Sequence, residues 1–416
     1  MELFIKGGGA LHGEMELQPS KLYTQFFSVL AFLSEGKIVV RKPLVAGDTL
    51  PLLRELEKLG AVVQRGKGEW TIWGMGGKVQ PKGNVLEAGN SGTVFGMLVF
   101  LATLSSRVLV VTGDSQLRRR CMIPLLKMVR EMGGEVSSSG SRGTAPFIVF
   151  GGGLRGGRLE GVEPSELYPL LPVAPYTREG VEVELSGEGE RMVETMRKAG
   201  VKILGRGRRI KIVSSVLRSH VLTVPPSLYA AAPFVVASLL TDSKLKLRGG
   251  REEGGAFLRL LQEMGIRLVK GRKGWWVKGP QRPRGTKLDL SGRAELFPYA
   301  AVLASLGEGR TIFKGVDRAK EMKADRLTLA VENLRKMGAR IEKEGERVVV
   351  EGVRGLKGAK VEGGNDYVLV GAFLAAGLAA EGETRIVDGP RAFRSSYSGF
   401  LSEWKRLGGE AEIVGF

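Results

Sequence analysis

Apolar positions along this chain fall into two alternating textures. In one, Leu, Met and Val recur at helical spacing among Lys, Arg and Glu, as at Leu53, Leu56 and Leu59, which predicts an amphipathic helix with one buried face. In the other the run is apolar all round, as in 93–104, and predicts a helix enclosed on every side. The amphipathic texture ends six times in a glycine followed by a β-branched strand, over 53–63, 125–136, 192–203, 257–269, 327–341 and 400–413. The closing glycines, Gly60, Gly133, Gly200, Gly265, Gly338 and Gly408, stand roughly 70 residues apart. An apolar helix and a strand precede each, at 23–40, 93–111, 228–247, 296–313 and 367–387, with a poorer copy at 167–185. The chain therefore reads as six copies of one α/β unit, each burying its apolar face against its neighbours.

Strands at 3–6 and 14–17 flank a Gly-rich turn, and Pro225 and Pro226 interrupt the pattern after the third copy. Two three-unit domains are expected, 18–222 and 1–17 plus 223–416, since 416 residues exceed one ordinary core, although the first strand pair fits either half.

Composition narrows the function. The apolar runs are too short to span a bilayer and the N-terminal segment has no signal-like apolar core, so a cytoplasmic protein with no membrane partner is expected. One cysteine, Cys121, excludes an internal disulfide, and two histidines, His12 and His220, give no metal-ligand spacing, so neither metal nor cofactor is expected. Eleven Asn and Gln beside 63 Lys and Arg are the bias of heat-adapted proteins. A net charge of +19 calls for an anionic partner. Its basic residues are scattered and not interleaved with aromatics, which points to an anionic small molecule more than to nucleic acid. A monomer is expected.

Two segments carry candidate chemistry. Glu87-Ala88-Gly89-Asn90-Ser91-Gly92-Thr93 opens an apolar helix with a turn that lets backbone N–H groups approach an anion, although such a turn alone is more often a plain helix cap. Arg118, Arg119 and Arg120 then open the next helix with three guanidiniums suited to phosphate or carboxylate.

Together with Pro19-Ser20-Lys21-Leu22-Tyr23-Thr24, Asp325-Arg326-Leu327 and Tyr397-Ser398-Gly399-Phe400, these segments resemble the 5-enolpyruvylshikimate-3-phosphate (EPSP) synthase family, its archaeal branch in particular. The resemblance spans essentially the whole chain and implies an α/β fold, a two-domain inverse α/β barrel of six βαβαββ repeats with a ligand cleft between the domains. It implies an enolpyruvyl (carboxyvinyl) transferase of the shikimate pathway, moving that group from phosphoenolpyruvate to shikimate 3-phosphate.

Transferred residue by residue, it puts Lys21, Asn90, Gly92, Thr93, Arg120, Arg326 and Arg394, or Ser395 in its place, at the phosphoenolpyruvate anion site. Lys21, Glu295 and Lys323 fall at catalytic positions, Glu295 for the family's aspartate and Lys323 for a carboxylate. On the acceptor side, Leu22, Phe26 and Gly96 stand where the family has a serine and two arginines, leaving Ser20 and Ser165. An unpaired buried anion is costly, so this pattern predicts a divergent paralogue that keeps a phosphoenolpyruvate-like anion site and has lost the shikimate 3-phosphate site. The alternatives are an authentic synthase, with Arg118, Arg119 or Arg394 rebuilding the missing contacts, and a noncatalytic anion- or nucleic-acid-binding protein. Plain readings compete at single residues: Lys21 as a solvated turn lysine, Glu295 in a structural salt bridge, Arg326 paired with Asp325 or a helix neighbour, Cys121 as a small helix-start residue.

Overall fold

The computed structural model describes residues 1–416 except Ser141, Ser219, His220, Gly250, Arg251, Glu252, Arg394, Ser395, Ser398 and Phe416. The chain divides into two compact units, 19–225 and 1–18 with 226–416, each with its own continuous apolar core.

Each unit holds three four-stranded sheets of one pattern: a parallel pair, then two antiparallel pairings. In the sheet built from Val85–Glu87, Leu109–Thr112, Phe147–Phe150 and Glu135–Ser138, the first two strands run parallel and the others follow antiparallel. The parallel strands need a crossover, which the buried helix Gly92–Thr103 supplies. The antiparallel strands need only short turns.

The two helical textures take the expected places. Lys21–Leu33, Gly92–Thr103, Ala232–Leu240, Phe297–Ser305 and Tyr367–Ala379 are buried along nearly their whole length. Leu50–Lys58, Ile123–Glu131, Gly189–Lys198, Gly255–Glu263, Arg326–Lys336 and Phe400–Arg406 bury one face. All six closing glycines have positive φ, from 75° at Gly265 to 114° at Gly60, a turn that a Cβ would strain. The poor third copy is explained by proline. Pro164–Leu170 carries Pro169 in its interior and gives way to the 3-10 turn Ala174–Tyr176, so no full-length helix forms.

Two close approaches bear on the site. Gly371 lets Tyr367–Ala379 pack on Ala232–Leu240, because a Cβ there would lie 2.5 Å from Pro233 Cγ. Gly96 faces Pro169 in the same way, at 2.9 Å. The N-terminal strands join the larger unit: Glu2–Lys6 lies between Glu383–Val387 and Ala411–Val414, and His12–Glu16 pairs with Lys244–Arg248. Among the described residues no helix is long and apolar enough to cross a membrane.

Candidate active site

In the unit 19–225 the candidate residues cluster at the N-terminal ends of buried helices. Ser20 is fully buried and its Oγ accepts the Tyr23 N–H at 3.1 Å, capping Lys21–Leu33. Lys21 follows as the first helical residue. Its Nζ meets Asp48 Oδ2 at 2.9 Å with the lysine side chain 37 % exposed, so it is an oriented ammonium and not a loosely solvated one. Nothing in sequence marks Asp48 as its partner, 27 positions away.

Around the second buried helix, Ser91 caps Gly92–Thr103 through the Val94 N–H. The arginine run does not continue as one α-helix. Asp114 accepts N–H groups from Gln116 and Leu117, closing the short 3-10 turn Leu117–Arg119. Arg118 and Arg119 are exposed, whereas Arg120 folds back onto Asn90, its Nη2 donating to the Asn90 carbonyl at 3.0 Å and to the side-chain oxygen. Asn90 in turn donates to Gln116. Arg120 Nη1 lies 3.4 Å from where a Gly92 Cβ would stand, so glycine at 92 brings the guanidinium against the helix N-terminus. Half-buried Thr93 completes that turn. A cationic group beside backbone N–H donors is a site for a phosphate or carboxylate. Cys121 is half-buried just after the 3-10 turn.

Ser165, at the start of Pro164–Leu170, donates to Glu166 at 2.8 Å in an exposed pair. The positions where arginines were sought are built into the core instead. Phe26 is fully buried against Tyr23 and Phe27, and Gly96 is closed off by Pro169.

In the other unit, Arg326 opens Arg326–Lys336 and is held by Asp366, with Nε and Nη2 at 3.0 and 2.9 Å from Oδ2. Asp366 is fully buried and caps Tyr367–Ala379, its Oδ1 accepting from Val368 and Leu369 N–H. Burial opposes its ionisation, but attraction to Arg326 and the hydrogen bonds from Arg326 and Leu369 prevail and hold its carboxyl below the usual range. Asp325, the partner weighed from sequence, caps its own helix through the Thr328 N–H.

Glu295 lies half-buried in the 3-10 turn Ala294–Leu296 and acts electrostatically on both Arg326 and Tyr229. Lys323 acts on Asp366 from the turn before Arg326–Lys336. Glu295, Lys323, Arg326 and Asp366 thus share one electrostatic neighbourhood. Burial pushes the Tyr229 phenol well up, so it stays neutral at ordinary pH. Sequence reasoning missed Tyr229, whose position in an apolar stretch reads as core. Arg394 and its alternative Ser395 lie outside the described residues. Among the described residues no group of three or more His, Cys, Asp or Glu could hold a metal ion.

Comparison with known proteins extends over nearly the whole chain. The family described as EPSP synthase (3-phosphoshikimate 1-carboxyvinyltransferase) matches residues 5–404. Among similar proteins, one from Methanocaldococcus jannaschii is 28 % identical, covering 99 % of both chains, and one from Methanothermobacter thermautotrophicus is 30 % identical, covering 98 % of this chain and 99 % of its own. Each is a 3-phosphoshikimate 1-carboxyvinyltransferase. An EPSP synthase structure from Acinetobacter baumannii superposes with a TM-score of 0.79 over the whole of both chains at 23 % identity, showing the same fold.

These findings overturn the expectation of a paralogue that has lost its shikimate 3-phosphate site, and the doubt about that partner goes with it. Relatives aligned end to end carry the synthase name, and the structure builds Phe26 and Gly96 into the core. Those two positions are spent on packing, and a guanidinium needs only a place in space, not a fixed place in the chain. With the match running from residue 5 to residue 404, the chain belongs to the EPSP synthase family.

Proposed function

We propose that this chain is a 3-phosphoshikimate 1-carboxyvinyltransferase. The acceptor hydroxyl adds to C2 of phosphoenolpyruvate while C3 takes a proton; that tetrahedral adduct then loses a C3 proton and expels phosphate, restoring the double bond. Both steps need cations around the phosphate and carboxylate, with an acid and a base near the reacting carbons.

The observation that carries the reading is the end-to-end relationship to proteins named for this activity. The local geometry supports it. Arg120, aimed by Asn90, offers a guanidinium at the N-terminus of Gly92–Thr103. Lys21, aimed by Asp48, offers an ammonium that serves as a phosphate contact and proton donor. Glu295 is the assigned base, and Lys323 takes an electrostatic role where the family has a carboxylate.

The test is phosphate release from phosphoenolpyruvate with and without shikimate 3-phosphate, using protein purified away from any host synthase. Release that depends on shikimate 3-phosphate and falls about 10²- to 10⁴-fold in Lys21→Ala is expected. Absence of release in the unaltered protein would sink the proposal.

A further inference from the structure

Phe26 and Gly96, enclosed by the core, leave the acceptor's oxyanions without their usual guanidiniums in the unit 19–225. One other arginine there is held against the catalytic helix. Arg191, on Gly189–Lys198 of the third repeat, places its guanidinium carbon 5.4 Å from the centroid of the Tyr23 ring. Tyr23 stands two residues after Lys21 on Lys21–Leu33. The ring is itself fixed: it packs edge-on against Phe26 and Phe27, and its hydroxyl donates to Glu188 Oε2 at 3.1 Å. Glu188 immediately precedes the helix that carries Arg191, and its own N–H donates to the Tyr168 hydroxyl at 2.7 Å. Tyr23 therefore joins the first and third repeats beside the candidate catalytic lysine.

A cation–π contact engages a guanidinium through its charge, and the group's planar N–H fork suits an oxyanion. We infer that Arg191 is the acceptor-binding guanidinium of this protein, holding an oxyanion of shikimate 3-phosphate in place of the first-helix arginine that Phe26 replaces. This rests on the proposed synthase activity and adds the specificity-determining residue to it. Tyr23 is a positioning residue: it orients Arg191.

The test uses the full chain as wild type, Arg191→Gln and Arg191→Lys, with KM for both substrates, calorimetric binding of shikimate 3-phosphate, and thermal melting to confirm folding. In Arg191→Gln the KM for shikimate 3-phosphate is expected to rise by about tenfold or more, with KM for phosphoenolpyruvate within about twofold of wild type. Arg191→Lys, which keeps the charge without the fork, is expected to fall between. An unchanged KM for shikimate 3-phosphate in Arg191→Gln, or an equal rise for both substrates, overturns the inference alone. Should Arg191→Gln fail to fold, Arg191→Lys decides by the same criterion. A wild type that neither binds nor converts shikimate 3-phosphate defeats the activity itself, and this inference with it.

Discussion

Arg120 lies against the N-terminus of Gly92–Thr103 and Arg326 begins Arg326–Lys336, yet the two are anchored in opposite ways. Arg120 donates to the carbonyl and the amide oxygen of Asn90, both neutral acceptors. Arg326 is held by the carboxylate of Asp366, buried without exposure, so the pair is neutral overall. The difference separates two uses of one side chain. On the proposed function the first positions a charge for binding; the second fastens the N-terminal ends of Arg326–Lys336 and Tyr367–Ala379 to each other and presents a guanidinium already committed on one edge. Removing a neutral anchor costs orientation, whereas removing a charged one strands a buried ion.

The largest effect should therefore come from Asp366→Asn. It leaves Arg326 without its counter-charge and should cost about 3–5 kcal/mol, seen as a large drop in Tm. A drop no greater than that of a surface substitution would show the two arginines to be alike after all. The same variant carries a pH signature. Because the Asp366 carboxyl is held below its usual range, the ion pair's contribution is complete above about pH 4 and drains away as pH falls through the lower folded value. Wild type should lose that increment in acid and Asp366→Asn should not, so their stability profiles converge below about pH 4.

Arg120→Met should have the opposite profile. Losing charge-assisted hydrogen bonds to phosphoenolpyruvate should raise its KM about 10- to 100-fold with little change in Tm. A large Tm loss with unaltered KM would assign Arg120 to structure. The smallest and sharpest change is Asn90→Asp, which gives Arg120 an anchor like that of Arg326. Melting should be unchanged or slightly higher, while KM for phosphoenolpyruvate rises by about tenfold, since the charge is then partly spent. An unaltered KM would mean that the anchor's charge does not matter to the ligand.

What sequence could reveal divides along the range of the interactions. The six repeats were legible because each is written locally: helical spacing at Leu53, Leu56 and Leu59, then Gly60 where φ turns positive. The failing third copy was legible too, although only the structure shows Pro169 breaking it into a short helix and a 3-10 turn. The anchors were not legible. Asp48 for Lys21, Asp366 for Arg326 and Tyr23 for Arg191 come from other elements, and no local pattern pairs them. Comparing positions one at a time also misjudged the acceptor side, because it treated Phe26 and Gly96 as lost charges when both are packing decisions.

The strand Glu2–Lys6 sits between Glu383–Val387 and Ala411–Val414, which sets a timetable for biosynthesis. Its second partner leaves the ribosome only after nearly the whole chain, on the order of 20–80 s later at about 5–20 residues per second. The unit 19–225 contains all its own strands and can close its core during that wait. Glu2–Lys6 is thus made long before either of its partner strands and is among the last segments to find its place.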